Sequence, residues 1–496
     1  MRWRASRGEG AFLLFLGWAV VAGGVMPSAA AAQGIRGWAS STVRFMEMQP
    51  LQLDTALVSD VVFDENGDAR IDGRRIACDP DRIQCEYYRP APIQNAVLGA
   101  QDVGFTAWGL GLEGLSTTVL IRARESFSGE LQWPIYDDPF DILVGYAELR
   151  RGGFRFRVGR QDATTGLGFV GFDGGSARYD GLHLWGEAFG GRSLARGLSE
   201  PAREALQGID DFVFDQEIVL VGGAGGWRWS RGDVGVRYQR EIYSDRSALV
   251  SERAALDVSA ALPWGLRLRG SMDYDVPFDR LGKSFLTLQR ALGTGRYVLE
   301  VEARRYVPYF ELNTIWGFFS PVPFHEASVR VSGGFSQGTG FRLSFGGRRY
   351  SDPATTTIFA PLKDDALRGE AQFLWTPRDD VQIDLGYELD WGAAAFLQAF
   401  DGSVAVDWTP SVRTRAFLTT FQQIESFRLG DGRALGGGLA VEWVITDRVR
   451  VDGRWSLIRN DGGRGGPGDE WNQNRGTIGL RYEFGSDPGL SRRRRR

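Results

Sequence analysis

The residues best suited to chemistry are charged side chains that occupy every second position of several extended segments. The clearest segment runs from Asp380 to Trp391, where acidic and polar residues alternate with apolar ones. Side chains of a β-strand point alternately to its two faces, so such a segment has one charged and one apolar face. A charged face of this kind contacts and orients polar solutes. The residues predicted to form it are Arg267, Arg269, Asp273, Glu300, Glu302, Arg304, Arg342, Arg348, Asp384, Glu388, Arg450 and Arg454.

Catalysis is an alternative chemistry for which the sequence offers little. The only histidines are His183, on a predicted strand, and His325, close to Pro323. Neither lies in a nucleophile motif, and a histidine without visible partners is more often structural. We therefore predict neither enzymatic activity nor a cofactor.

Two cysteines, Cys78 and Cys85, lie seven positions apart in a long polar segment. In an oxidising compartment two thiols this close are expected to form a disulfide bond. A metal or haem site is the alternative, but two cysteines lack the further ligands, and no Cys-x-x-Cys-His motif is present.

An acidic stretch before the cysteines partly matches a calcium-binding loop. The positions that would supply ligands hold Asp64, Asn66, Asp68 and Asp72. The position that requires glycine holds Ala69, and the position of the bidentate glutamate holds Arg75. A hairpin turn at Asn66-Gly67 is the other interpretation, because this dipeptide favours a type I′ turn.

The elements that position the charged rows are predicted to be strands of a transmembrane antiparallel up-and-down β-barrel. Long polar rows would be costly in hydrocarbon, so they must face water while the apolar rows face lipid. The best estimate is roughly 22 strands, within a range of about 18 to 22. The first strand is placed at Ile35–Gln49 and the last at Thr477–Phe484. The segment from Ala177 to Leu194 is divided into two strands around Trp185–Glu187.

Short and long connections alternate from about Gln101 onward, as in outer-membrane barrels with brief periplasmic turns and long extracellular loops. The short turns are predicted at 113–114, 151–153, 263–265, 293–295, 337–339, 376–379, 409–411 and 446–447. The long loops are predicted near 127–138, 162–175, 196–213, 306–324, 351–364 and 459–473. The barrel domain is placed at 33–485, and its first extracellular loop, at 50–100, contains both cysteines.

Both ends of the chain differ from the barrel. Residues 1–32 combine an arginine-rich start, an apolar core and an A-x-A site, which predicts a cleaved signal peptide. Residues 486–496 end in five arginines and are predicted to form a basic periplasmic tail. No later segment approaches the roughly 20 apolar residues of a spanning helix.

The composition agrees with a barrel. The chain of 496 residues has 67 glycines and 12% aromatic residues, which suit tight turns and interfacial girdles. Its 58 basic and 62 acidic residues give a net charge of −4, which excludes a nucleic-acid footprint. A mean hydropathy of −0.23 excludes a helical membrane protein, whereas barrel strands are half polar.

The predicted last strand ends in Gly-Leu-Arg-Tyr-Glu-Phe, with Leu480, Tyr482 and Phe484 on its apolar face. This ending resembles the β-signal that the barrel assembly machinery recognises in outer-membrane proteins. The resemblance implies that the strand closes the barrel. The residues that follow Phe484 depart from that pattern, since a β-signal usually ends the chain.

A second resemblance lies in Val158-Gly159-Arg160-Gln161, Gly166-Leu167-Gly168 and Ala177-Arg178-Tyr179-Asp180-Gly181-Leu182-His183-Leu184. This stretch is similar to the "GRQ … F-D-G-v" block of alginate-export-type and related porin-like barrels, with Tyr179 at the usual phenylalanine. The resemblance implies a passive diffusion channel. The polyanionic substrate of that family does not carry over, because these charged rows mix arginine with acidic residues.

The sequence thus predicts an outer-membrane channel of a Gram-negative-type bacterium for small hydrophilic solutes. Mixed charges inside would create a transverse field, or would simply neutralise one another across strands. A barrel that serves as a structural sleeve for export or for an electron-transfer partner is the rival. The expected partners are outer-membrane lipid, lipopolysaccharide and the assembly machinery. The sequence does not decide whether the protein forms a homotrimer or binds a periplasmic partner.

A barrel this wide leaks unless a loop narrows it, because diameter grows with strand number. The candidates are the segments 50–100 and 306–324. The second is rich in aromatic residues that either fold inward and stack on sugars or pack at the rim, namely Tyr309, Phe310, Trp316, Phe318 and Phe319.

Deleting the constricting loop is expected to raise single-channel conductance in planar bilayers, because a wider lumen carries more ions. Each loop is deleted separately, so that one deletion serves as the control for the other. Unchanged conductance excludes the deleted loop from that role.

Overall fold

In the computed structural model the chain is described over residues 34–49, 51–63, 69–71, 74–76, 78, 83–128, 140–165, 167–194, 217–245, 247–293, 295–307, 323–350, 365–391, 396–426, 430–461 and 470–485. Several predicted features lie outside these residues. They are the signal peptide 1–32, the basic tail 486–496, the calcium-loop positions Asp64, Asn66, Asp68 and Asp72, and the aromatic residues within 308–322.

The described chain forms a closed antiparallel barrel of 22 strands. The first strand, β1 Gly34–Met48, pairs with both β7 Gln94–Trp108 and the last strand, β27 Glu470–Gly485, which closes the ring. This confirms the predicted fold class and the strand count. The barrel strands are β1 Gly34–Met48, β7 Gln94–Trp108, β8 Leu115–Ser128, β9 Phe140–Arg151, β10 Phe154–Thr165, β11 Gly168–Asp180, β12 Leu184–Leu194, β13 Ile218–Trp229, β14 Gly232–Tyr243, β15 Leu249–Ala261, β16 Leu266–Asp275, β17 Arg280–Leu292, β18 Tyr297–Tyr306, β19 Phe324–Gly333, β20 Thr339–Tyr350, β21 Asp365–Arg378, β22 Val381–Trp391, β23 Phe396–Thr409, β24 Val412–Ser426, β25 Gly430–Thr446, β26 Val449–Asp461 and β27 Glu470–Gly485.

A smaller segment lies between β1 and β7. It contains β2 Leu51–Leu57, β3 Val62–Phe63, β4 Ala69–Ile71, β5 Arg74–Arg75 and β6 Gln84–Pro90. Cys85 is bonded to Cys78, with their Cα atoms 5.0 Å apart, and it is buried together with Val61 and Ala69. Phe63 pairs with Ala69.

Several predicted boundaries are wrong. The predicted long loop at 162–175 is mostly strand, because β10 continues to Thr165 and β11 begins at Gly168. The turn within 177–194 lies at 181–183 rather than at Trp185–Glu187, so His183 is in a turn and not on a strand. The polar segment predicted to reach about Ala100 ends earlier, since β7 begins at Gln94.

Close approach between strand backbones explains why a glycine-rich run forms strands here. Gly159 has a φ of 125°, and a Cβ on it would lie 2.2 Å from the carbonyl oxygen of Gly145. A Cβ on Gly174 would lie 2.1 Å from the carbonyl oxygen of Gly190. Glycine is therefore required by packing at these positions, and it does not mark a loop.

The outer face of the barrel carries large apolar side chains that are exposed. On β22 the exposed fractions of Leu385 and Tyr387 are both 42%, and on β27 that of Ile478 is 67%. Aromatic rings collect where the short turns lie, and Phe154 packs on Tyr179 there with ring centroids 4.8 Å apart. An apolar band of this extent requires hydrocarbon around it.

The closing strand, β27, also has an apolar outer face. Leu480, Tyr482 and Phe484 share the outer face of β27, and the rings of Tyr482 and Phe484 stack at 6.1 Å. Among the described residues, no helix is long and apolar enough to cross a bilayer.

Replacing Leu385 by arginine should destabilise the barrel by about 2–4 kcal/mol, because a guanidinium would be placed in the middle of the apolar band. The matched control is Ser403→Arg. Ser403 lies opposite Asp384 on the inner face of β23, at the same height, and a guanidinium there meets a carboxylate. Urea unfolding in lipid vesicles gives both free energies. Equal costs for the two variants would contradict the assignment of faces.

Candidate functional site

Contacts between strands two apart identify the inner face of the barrel. Side chains converge on the concave side of a curved sheet and diverge on the convex side, so only inner residues can reach past a neighbouring strand. Arg348 on β20 contacts Asp390 on β22 at 3.4 Å. Ser193 on β12 donates to Glu241 on β14 at 3.0 Å. The row that contains each of these residues is therefore the inner row.

Strand register places all the charged residues predicted from the sequence on this inner face, which is the geometry that the alternation predicts. Most of them contact a neighbouring strand through an ion pair or a hydrogen bond. The pairs include Asp273 with Arg253 (3.8 Å), Glu300 with Arg330 (2.5 Å), Glu302 with Thr287 (3.4 Å), Arg342 with Gln372 (3.3 Å) and Glu388 with Arg368 (2.8 Å).

One ionic network surrounds Glu326 on β19. Its carboxylate is buried and accepts hydrogen bonds from Arg304 at 2.8 Å and from Arg348 at 2.9 Å. The guanidinium carbon of Arg348 also lies 4.2 Å from the centre of the Phe324 ring. The sequence identified both arginines as inner residues but not Glu326. Glu326 lies on β19, between the strands of Arg304 and Arg348, and faces inward as they do.

A cavity of about 1280 Å³ lies against the inner face of β19–β26. Its charged lining is Arg342, Asp384, Asp401, Arg413, Arg415, Glu442, Arg450, Asp452 and Arg454. Arg450 pairs with Glu442 at 3.1 Å, and Arg454 lies 4.4 Å from the centre of the Phe417 ring. The sequence did not identify Phe417 as an inner residue. A single aromatic residue within a polar row does not reveal which face of the sheet it lies on.

A second inner cluster surrounds Trp185 near the short-turn end of β11–β14. The guanidinium carbons of Arg178, Arg228 and Arg237 lie 5.5, 5.8 and 5.4 Å from the indole ring. Asp180 pairs with Arg178 at 2.7 Å and with Arg228 at 3.1 Å. Sequence reasoning missed this cluster because it placed a turn at Trp185.

The Gly-Arg-Gln block has a structural role that its resemblance did not reveal. Arg160 makes a bidentate contact with Asp173, both distances being 2.8 Å. Gln161 is buried and donates to the carbonyl oxygen of Gly174 at 3.1 Å. The block therefore pairs with Phe-Asp-Gly at 172–174, and not with Tyr-Asp-Gly at 179–181, on which the resemblance rested.

Charge is unevenly distributed around the inner face of the described strands. Strands β18–β23 carry more acidic than basic residues, and β24–β27 with β1 carry more basic ones. The acidic sector contains Glu300, Glu302, Glu326, Glu370, Asp384, Glu388, Asp390, Asp401 and Asp407, against Arg304, Arg330, Arg342, Arg348 and Arg368. The basic sector contains Arg36, Arg44, Arg413, Arg415, Arg450, Arg454, Arg475 and Arg481, against Glu442, Asp452 and Glu483.

No protein-family profile and no curated protein matches the sequence. Solved structures with a similar fold include a BenF-like porin from Pseudomonas fluorescens, at 9% identity and a TM-score of 0.42, covering 91% of this chain and 99% of that one. The outer membrane protein OprD from Pseudomonas aeruginosa has 9% identity and a TM-score of 0.39, with coverages of 92% and 94%. A mutant of the ferric enterobactin receptor PfeA from Pseudomonas aeruginosa has 10% identity and a TM-score of 0.47, with coverages of 92% and 81%. Similarity at this level is confined to general barrel architecture.

Replacing Glu326 by alanine is expected to cost about 1–3 kcal/mol of stability, because two guanidinium groups lose their shared acceptor. Glu388→Ala is the matched control. The partner of Glu388, Arg368, is more than a third exposed. Loss of this ion pair should therefore lower the stability by less than about 1 kcal/mol. Equal losses in denaturant unfolding would show that the Glu326 network contributes no more than a surface pair.

Proposed function

We propose that this protein is a passive channel for small hydrophilic solutes in the outer membrane of a Gram-negative-type bacterium. One observation carries the proposal: a closed ring of strands that is apolar outside and charged inside. A ring of this kind is stable in lipid and holds water in its lumen. The charged inner rows would then be the pore lining.

The orientation follows from the connections. In outer-membrane barrels the short turns face the periplasm and the long loops face outward. The even strand number agrees with this arrangement, since the start of β1 and the end of β27 then lie on the periplasmic side. In that setting the outward-facing Leu480, Tyr482 and Phe484 would serve the assembly machinery as its recognition signal.

The uneven inner charge supports a transverse field across the lumen. An acidic sector beside a basic sector orients dipolar and zwitterionic solutes while leaving the net selectivity between cations and anions small. The porin-like part of the sequence resemblance agrees with such a channel. A polyanion such as alginate does not fit, because the acidic sector would repel it.

The proposal assigns no catalytic role to either histidine. His183 lies in a turn, where its Nδ1 is 3.2 Å from the carbonyl oxygen of Arg228. His325 belongs to the outer row of β19, away from the lumen.

Reconstitution tests the channel directly. The purified barrel in planar bilayers should show stepwise conductance without any partner, and liposomes that contain it should swell in small sugars and amino acids. A barrel without conductance that copurifies with a stoichiometric second protein would overturn the channel and favour a structural sleeve.

Charge reversal in the basic sector should change ion selectivity. Arg415 and Arg454 occupy one inner row, so R415E with R454E should raise the permeability ratio of K⁺ to Cl⁻ by roughly threefold or more. Asp384→Arg with Asp401→Arg is the mirror control and should shift the ratio toward Cl⁻. Reversal potentials that stay at the wild-type value in both variants would exclude these residues from the conduction path.

A further inference from the structure

On the outer face of the barrel, a row of polar side chains crosses β18–β21. Arg305 lies opposite His325, His325 opposite Arg349, and Arg349 opposite Asp365. Each residue is the first or the second from the long-loop end of its strand. Four neighbouring strands therefore present one continuous polar row at the same height on the outer face.

These cations are not used by the barrel itself. His325 and Arg349 are exposed and Arg305 is half-buried. Within the described residues, neither Arg305 nor Arg349 forms an ion pair with a carboxylate. Two guanidinium groups on an apolar face carry a solvation cost, and an anion held between them would offset it.

A groove lies directly below this row. The next outward-facing residues are Ala303, Ala327 and Gly347, which are opposite one another in register and leave the sheet surface low. Leu286 and Leu367 stand on either side of these small residues. The groove, which includes the polar row at its upper end, has a volume of about 930 Å³.

We propose that this surface binds one phosphorylated glycolipid of the outer leaflet, with a phosphate on Arg305 and Arg349 and an acyl chain in the groove below. Guanidinium groups bind phosphate through paired, charge-assisted hydrogen bonds, and the imidazole of His325 between them supplies a further polar contact. The Asp365 carboxylate at the end of the row accepts from a sugar hydroxyl, which favours a glycolipid headgroup over a bare phosphate. Small residues let an aliphatic chain lie close to the sheet.

The assignment rests on the proposed orientation, which places the long-loop ends at the outer leaflet. A soluble phosphate would need only the polar row. The groove adds an apolar surface that continues toward the middle of the barrel wall, where only a lipid tail would lie.

The site is tested with folded full-length barrel in detergent micelles and hexa-acylated diphosphoryl lipid A as the probe. Binding is measured by native mass spectrometry and by titration. R305A with R349A should weaken binding at least tenfold, and R305K with R349K should retain part of it. The matched control is Arg290→Ala, which removes an exposed outward arginine near the short-turn end of β17 and should leave binding within twofold.

Three results would overturn the site. They are equal affinity in the wild type and R305A with R349A, equal binding of dephosphorylated lipid A, and displacement of lipid A by low-millimolar inorganic phosphate. Conductance measured on the same preparations separates this proposal from the channel. Because the row lies outside the lumen, R305A with R349A should conduct as the wild type does. A barrel that binds lipid A but carries no current would refute the channel alone.

Discussion

The structure depends on one constraint: alternate side chains of every strand meet different solvents. A closed sheet satisfies all its backbone hydrogen bonds internally, so it can stand in hydrocarbon if its outer row is apolar. The inner row is then free to carry charge, because water fills the lumen. Strand β22 shows the rule in its simplest form, with Leu385 outward and Asp384 inward. Across β18–β21 polar residues interrupt the apolar outer row near the long-loop ends, and this is where we propose a lipid ligand.

Charges inside the barrel have two roles that do not compete. Ion pairs such as that of Arg304 with Glu326 connect neighbouring strands. They also offset the free-energy cost of burying charged side chains at the barrel wall. Their uneven arrangement around the ring supports the proposed field across the lumen, because acidic residues prevail on β18–β23 and arginines on β24–β27. Aromatic rings at Trp185 and Phe417 hold arginines at the wall, and so keep guanidinium groups fixed beside the water.

The alternation of apolar and polar residues predicted most of the fold. This alternation arises because the two faces of each strand meet different solvents, and it does not depend on local strand propensity. The strand count and strand β22 followed from it. The closing strand followed only in part, since it begins at Glu470 and not at Thr477. A failure occurred where glycine had a packing function, as at Gly174, since a glycine-rich run also predicts a loop. The inner rows were predictable from charge alternation. The contacts of Glu326 were not, because they depend on register between strands, which a single strand does not encode.

The central claim is best tested by scanning nitroxide labels along β22 in a lipid bilayer and measuring collisions with oxygen and with a water-soluble nickel chelate. Labels at Ile383, Leu385 and Tyr387 should respond to oxygen, and labels at Gln382, Asp384 and Glu388 to the nickel chelate. The two accessibilities should alternate with a period of two and in opposite phase. Equal accessibility along the strand, or a charged row that responds to oxygen, would contradict the account.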